Sequence, residues 1–196
     1  ATFATWTSRA SGETIRLNGV DHGNGKFLIT GQSGTLLTSI DGTVWTKETL
    51  PIFPEFRAAL FRGGTYYLVG DQSLQSDDLT QWANPVFGGP SRIADIIFFA
   101  NHLSSAGGTD LSGSASQGGI GWAPTIDLSA WNRLTLPVKR TNLREFANNG
   151  TIAVAVGESG RILTSTDAIN WTDQNPTSAN DLEGIAAGTS GLVAVG

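Results

Sequence analysis

The sequence contains no cysteine and no methionine, only two histidines, and charged residues at just 15% of its 196 positions. Without cysteine, neither a disulfide nor a thiolate metal site can hold the fold together. The histidines, His22 and His102, fall in different repeats and make no metal pair. No H-E-x-x-H, P-loop, dinucleotide-binding or Ser-His-Asp arrangement occurs, so no metal, cofactor or catalytic residue is expected. Basic residues are scarce as well. The formal charge is -5 and the sequence pI about 4.9, which offers no footprint for a nucleic-acid backbone. No wholly apolar run exceeds five residues, as in Ile96 to Ala100, far below the ~20 that span a bilayer, so no membrane insertion is expected. The chain opens at Ala1 without a basic-then-apolar leader and reads as a mature form or an excised fragment.

Glycine is abundant, at 25 positions, and there are six tryptophans. Low charge and high glycine favour a turn-rich β protein whose rigidity comes from aromatic packing. A repeat organises it. Ser39-Ile-Asp41-Gly-Thr-Val-Trp45, Ser76-Asp-Asp78-Leu-Thr-Gln-Trp82, Thr125-Ile-Asp127-Leu-Ser-Ala-Trp131 and Ser165-Thr-Asp167-Ala-Ile-Asn-Trp171 all fit [ST]-x-D-x-x-x-W, and Trp6 marks a degenerate fifth copy. The Trp-to-Trp steps are 39, 37, 49 and 40 residues, a period with β patterning that belongs to propeller blades. Recurring strand text precedes each copy. Lys26 to Gly31, Thr65 to Gly70, Ile152 to Gly157 and Leu192 to Gly196 all end on glycine, and shorter apolar segments such as Ile15 to Val20, Phe56 to Leu60 and Ile93 to Ile97 lie upstream across turn residues. The pattern predicts four strands per repeat, A to D, and no helix.

The stretch from Gly31 through Asp41-Gly to Trp45-Thr46 resembles the Asp-box (BNR) repeats of bacterial β-propellers, with one residue fewer between Asp and Trp. Such repeats occur in sialidases, xyloglucanases, sortilin-like receptors and photosystem II assembly factors, mostly exported or luminal. The resemblance implies an all-β propeller, secreted or periplasmic/luminal, and speaks to fold more than to activity. The expected layout is one domain over 1–196, with five blades of about 40 residues. Four blades fall at about 13–47, 55–83, 91–132 and 142–172, and an N-terminal strand at 1–7 closes the fifth with 181–196. At that closure the third strand of the fifth blade is missing. Either the blade closes with three strands, or the chain belongs to a longer or multi-chain ring. In each turn the Asp carboxylate is expected to accept turn amides and the Trp to pack between sheets.

In a propeller strand A lines the channel, and the B-to-C loops share its top face. Aligned on strand A, the starts carry Arg16, Arg57, Arg92, Arg144 and Glu183, and the B-to-C turns add Gln32, Asp71, Asp110 and Glu158. Four of nine arginines at equivalent channel-mouth positions suit bidentate recognition of an anion. They equally suit an inter-blade salt-bridge ring without a ligand. In the third repeat the Gly/Ser-rich B-to-C connection, Gly107 to Gly121, is about ten residues longer than its counterpart, either a binding loop or a tolerated insertion. Trp122 beyond it aligns with Leu36 and Ile162 as a core residue. The expected function is a non-catalytic module that binds a glycan or a partner protein through the top face. The alternatives are a scaffold or assembly propeller, or a sialidase-like hydrolase with Tyr66 or Tyr67 as nucleophile and Glu158 or Asp71 as acid or base.

Overall fold

A computed structural model describes residues 7–84, 91–109, 119–124, 131–134, 142–174, 179–188 and 191–196. The expected closing strand up to Trp6, most of the Gly/Ser-rich insertion, Asp110 and Asp127 lie outside these residues. Strands follow one another as antiparallel hairpins in five successive sheets. The first holds β1 (Leu17–Gly23), β2 (Lys26–Gly31), β3 (Leu36–Ser39) and β4 (Thr46–Lys47). The second holds β5 (Phe56–Arg62), β6 (Thr65–Gly70) and β7 (Leu74–Ser76), whose outer edge is met by a bridge from Ala83 to Gln75. The third has β8 (Ser91–Phe99), β9 (His102–Thr109), β10 (Gly119–Ala123) and β11 (Asn132–Leu134). The fourth has β12 (Leu143–Asn148), β13 (Ala153–Gly157), β14 (Ile162–Ser165) and β15 (Thr172–Asp173), and the fifth only β16 (Gly184–Gly188) and β17 (Gly191–Val195). Among the described residues the sole helical turn is a 3-10 turn at Glu158–Gly160.

The inner strands stack in chain order, β1 on β5, β5 on β8, β8 on β12 and β12 on β16, and together they enclose one channel. The second strands of the middle three sheets, β6, β9 and β13, are covered on both faces. In β6, Tyr66 and Leu68 join Leu28, Leu36 and Phe56 between the first two sheets, while Tyr67 and Val69 join Ile93, Ile96 and Leu103 between the second and third. That double burial is why the strand reads as an unbroken apolar run rather than an alternating one. Tyr66 packs at a tilt against Phe61, its hydroxyl accepting from Asn24.

The turns carry their own chemistry. In three repeats a serine hydroxyl donates to the aspartate two residues on, and the Asp Oδ1 accepts the amides two and three residues further: Thr43 and Val44 at 2.8 and 3.1 Å, Thr80 and Gln81 at 2.7 and 2.9 Å, Ile169 and Asn170 at 2.9 and 2.7 Å. The residue after each Asp (Gly42, Leu79, Ala168) turns through the left-handed region, and the next tryptophan closes the loop where Trp82 and Trp171 donate to the carbonyls of Leu79 and Ala168. Trp82, Trp131 and Trp171 pack into the clusters shared with the preceding sheet. Trp122 departs from its expected place. The register pairs Ile120 with Ala106 as it pairs Leu36 with Thr30 and Ile162 with Val156, so Ile120 fills the core position and Trp122, two residues on, sits half-buried edge-on to His102.

The A-to-B hairpins of the first three sheets are two-residue loops with both central φ angles positive: Asn24-Gly25, Gly63-Gly64 and Ala100-Asn101. This is the primed turn that matches strand twist. Ala100 at φ 49° is the one alanine in these loops, and the left-handed region costs an L-residue about 1–2 kcal/mol. Ala100→Gly is therefore expected to stabilise the fold by about 0.5–1 kcal/mol after glycine's greater freedom in the unfolded chain is counted. Denaturant unfolding checks this, and a net loss would contradict the turn assignment.

Candidate functional site

At the top of the channel four of the five B strands end on, or one residue before, a glycine that has no room for a side chain. A Cβ on Gly31, Gly70, Gly157 or Gly196 would lie 1.9–2.6 Å from the carbonyl oxygen of Arg16, Glu55, Asn142 or Asp181. In three sheets the residue after that glycine also donates its amide to this carbonyl: Gln32 to Arg16, Asp71 to Glu55 and Glu158 to Asn142, at 2.9–3.0 Å. One residue past each carbonyl the inner strand pairs (Leu17 with Gly31, Phe56 with Gly70, Ile93 with Gly107, Leu143 with Gly157) and then slips by one. The bulge recurs at the same place in four sheets. Bulges re-aim side chains at the rims of channels, and the extra residues here are Asn18, Arg57, Ala94 and Arg144.

The bulge corrects the sequence alignment of the arginines. Arg16 and Arg92 stand one residue before the pair that opens the bulge, level with Glu55, Asn142 and Asp181. Arg57 and Arg144 stand after it, level with Asn18, Ala94 and Glu183. The arginines thus form two pairs at adjacent positions and not one fourfold ring. Counting from strand starts could not detect an inserted residue. The only sequence trace is that Leu17, Phe56, Ile93 and Leu143, the apolar residues that open each strand, fall on alternate sides of the arginines.

Ion pairs link these groups within and between sheets. Arg57 reaches Asp71 at 2.9 Å and Glu55 at 3.5 Å, and Arg92 of the third sheet reaches the same Asp71 oxygen at 3.4 Å. Arg92 does so from a left-handed φ of 63°, unusual for a strand residue. On the opposite side Arg144 is shared among Glu158 at 3.3 Å, Asp181 at 3.6 Å and Glu183 at 3.6 Å. Glu158 is further held by Asn142, and Asp181 accepts the amide of Ser159 at 2.9 Å. Arg16 is exposed and enters no ion pair among the described residues. Gln32 is half-buried beside it, and Asn18 donates to Glu55 and to the Phe56 carbonyl.

Below the mouth lies a cavity of about 490 Å³ lined by all five inner strands, and it contains acids that the sequence reading did not assign to the channel. Asp95 accepts the amides of Ile96 and, across the sheet boundary, Phe146, both at 2.8 Å. Glu145, one sheet on at the equivalent position, accepts the Ile185 amide at 2.8 Å, and Gly184 leaves room for its carboxylate. Asp21 accepts the amides of His22 and Phe61. Each carboxylate thus ties one inner strand to the next. The available signal was an acid set inside strand text, as in Ile93-Ala-Asp-Ile-Ile97.

Ringed by protein, Asp95 is pushed up to about 7, first by burial and then by the charges of Glu145 and Asp21; burial raises Glu145 and Asp21 as well. The turn acids go the other way. Hydrogen bonds from neighbouring turn amides and side chains hold Asp41, Asp78 and Asp167 well below the usual carboxylate range. Tyr66 and Tyr67, the expected nucleophiles of a sialidase-like site, are closed into inter-sheet cores, where burial raises the Tyr67 phenol. Neither can meet a substrate at the mouth.

No family model matches the sequence, and no characterised protein matches it by sequence. Solved structures do match the fold. Virginiamycin B lyase from Staphylococcus aureus superposes with a TM-score of 0.74 at 15% identity, over 96% of this chain and 66% of that one. The nidogen propeller of a nidogen/laminin complex gives 0.71 at 11% identity, over 92% and 72%. YCF48 bound to a D1 peptide gives 0.65 at 17% identity, over 93% and 63%. The protein is a β-propeller, and this chain spans about two thirds of the length of those it resembles.

The two acid populations set opposite pH dependences. Folded Asp95 keeps its proton up to about pH 7, whereas the unfolded chain releases it near pH 4. Its stabilising contribution is therefore complete below about pH 4 and declines as pH rises to about 7. The turn aspartates contribute above pH 4 and lose their contribution as pH falls below it. Thermal melts are expected to peak between these windows, with Asp95→Asn flattening the decline from pH 4.5 to 7.5. An unchanged slope in that variant would refute the assignment.

Proposed function

We propose that this propeller is a non-catalytic recognition module, exported, that seats an extended segment of a partner protein across its channel mouth. The carrying observation is that charge around the mouth is segregated. Among the described residues, on the side of the first three sheets Arg16, Arg57 and Arg92 face Glu55 and Asp71, and Arg16 is left over; on the side of the last two, Arg144 faces Glu158, Asp181 and Glu183. A closed structural ring needs no such imbalance. A segment with an acidic group toward Arg16 and Arg92 and a basic group toward Asp181 and Glu183 would complete both halves, and guanidinium forks suit the carboxylate end. The resemblance to propellers solved with protein or peptide partners, nidogen with laminin and YCF48 with D1 peptide, supports a protein partner and is compatible with a scaffold or assembly role. The serine–aspartate turns support reading the repeats as Asp boxes, whose other bearers are mostly exported.

Each mouth ion pair is partly exposed, so losing one costs about 0–1 kcal/mol. Arg16→Ala combined with Glu183→Ala should therefore leave the melting temperature nearly unmoved. On an immobilised array of charged peptides, the wild-type chain is expected to retain peptides carrying both charge signs in low salt, and the double variant to lose them. Equal retention by both proteins would refute the reading, as would binding confined to a glycan array.

A further inference from the structure

The fifth sheet presents a buried-type face with nothing on it. Register aligns Val195 with Val69, Ala106 and Val156, and Val193 with Leu28, Tyr67 and Val154. Those counterparts are at most 7% exposed because the following sheet covers them, whereas Val195 is 60% and Val193 66% exposed. The first sheet has the matching defect on its other side. Val20 is level with Ile96, Phe146 and Ile185, each packed on the preceding sheet and at most 8% exposed, yet Val20 is 71% exposed. Trp45 agrees with this: its counterparts Trp82, Trp131 and Trp171 join apolar clusters, and Trp45 joins none among the described residues. No cluster among those residues links the fifth sheet to the first. These two faces are the two halves of one ordinary inter-sheet contact, held apart.

We propose that the gap between β17 and β1 is filled by about two further blades of the same repeat, carried on the same polypeptide, the first of whose strands pairs with the open edge of β17 to complete the fifth sheet. Three observations select this occupant over a second copy. Five sheets match 63–72% of the propellers above, which leaves room for about two more and not for another five. Among the described residues the fifth sheet has two strands where the first, third and fourth have four, so chain continuing from Gly196 meets an edge that no described strand pairs before it meets a bare face. Arg16 stands where Arg92 stands, and Arg92 is paired with an acid on the B-to-C turn of the sheet before it; a blade before β1 would bring such an acid to Arg16.

The test compares the 196-residue chain with one extended after Gly196 by two tandem copies of its own residues 32–70, which supply in order the missing strands of the fifth sheet and most of two more. Amide exchange at Leu192 and Ala194, whose amides point away from β16 to the open edge, is expected to slow at least about 100-fold in the extended chain, since sheet amides open only with larger unfolding. Unchanged exchange in a folded extended chain overturns the proposal. A second comparison does not depend on that extension folding. In the 196-residue chain Val193→Asp with Val195→Asp should leave the melting temperature nearly unmoved, while Val154→Asp at the covered counterpart should unfold it. A large loss from the first pair overturns the proposal. So does a discrete dimer of the 196-residue chain, by light scattering, that the first pair dissolves, because a second copy would then be the occupant.

Discussion

Everything in this fold depends on sheets that share no backbone ladder with their neighbours. Ladder hydrogen bonding is satisfied within each hairpin stack, so what joins one sheet to the next is chiefly side-chain packing: Leu28, Leu36, Phe56 and Leu68 at the first boundary, Tyr67, Val69, Ile93 and Leu103 at the second. Burial of this kind is proportional to area and has no direction. It cannot by itself decide how one sheet is rotated on the next. The directional contacts sit near the channel, where Asp21, Asp95 and Glu145 each accept an amide from the following inner strand and Asn18 donates to the Phe56 carbonyl. Apolar faces hold the sheets together, and these few polar ties fix how they meet.

That division explains what the sequence disclosed. Strand text, turn glycines and the [ST]-x-D-x-x-x-W repeat are local, and each is dictated within a few residues by burial on both faces or by carboxylate–amide geometry. The all-β architecture and the sorting of residues to the mouth were legible for that reason. A bulge is different, because it is a property of a pair of strands. Leu17 to Gly19 looks like ordinary strand text until its partner, Gly31 to Thr30, is laid beside it. The arginines were accordingly found at the right end of the channel but in the wrong equivalence. Trp122 slipped by two residues after a connection whose length varies between repeats. Asp95 and Glu145 were passed over because an acid in a strand has meaning only once its cross-boundary amide is known.

The acids of this chain do three kinds of work, and position decides which. On the turns, exposed carboxylates collect amides and become stronger acids, as hydrogen bonds to the charged form require. At the mouth they share arginines in water, where an ion pair contributes little to stability. In the channel they lose water while facing one another, and desolvation outweighs the amides they accept. A composition with so little charge can place most of it at junctions because the strands need almost none. What remains at the mouth is charge that the fold does not require.

The bare faces and the mouth are connected through Arg16 and Glu183. These residues stand on the first and fifth sheets, on opposite sides of the gap, and they are also among the most exposed charges of the rim. A blade before β1 that carried an acid at its B-to-C turn would hold Arg16 as Asp71 holds Arg92, lowering the positive excess on that side. A blade after β17 would offer its own bulge position to Glu183, as the fifth sheet offers Glu183 to Arg144. The polarity of the completed rim therefore depends on two residues in the added blades, whereas the Arg57–Asp71–Arg92 and Arg144–Glu158 pairs are already closed within the described sheets and keep their geometry whatever fills the gap.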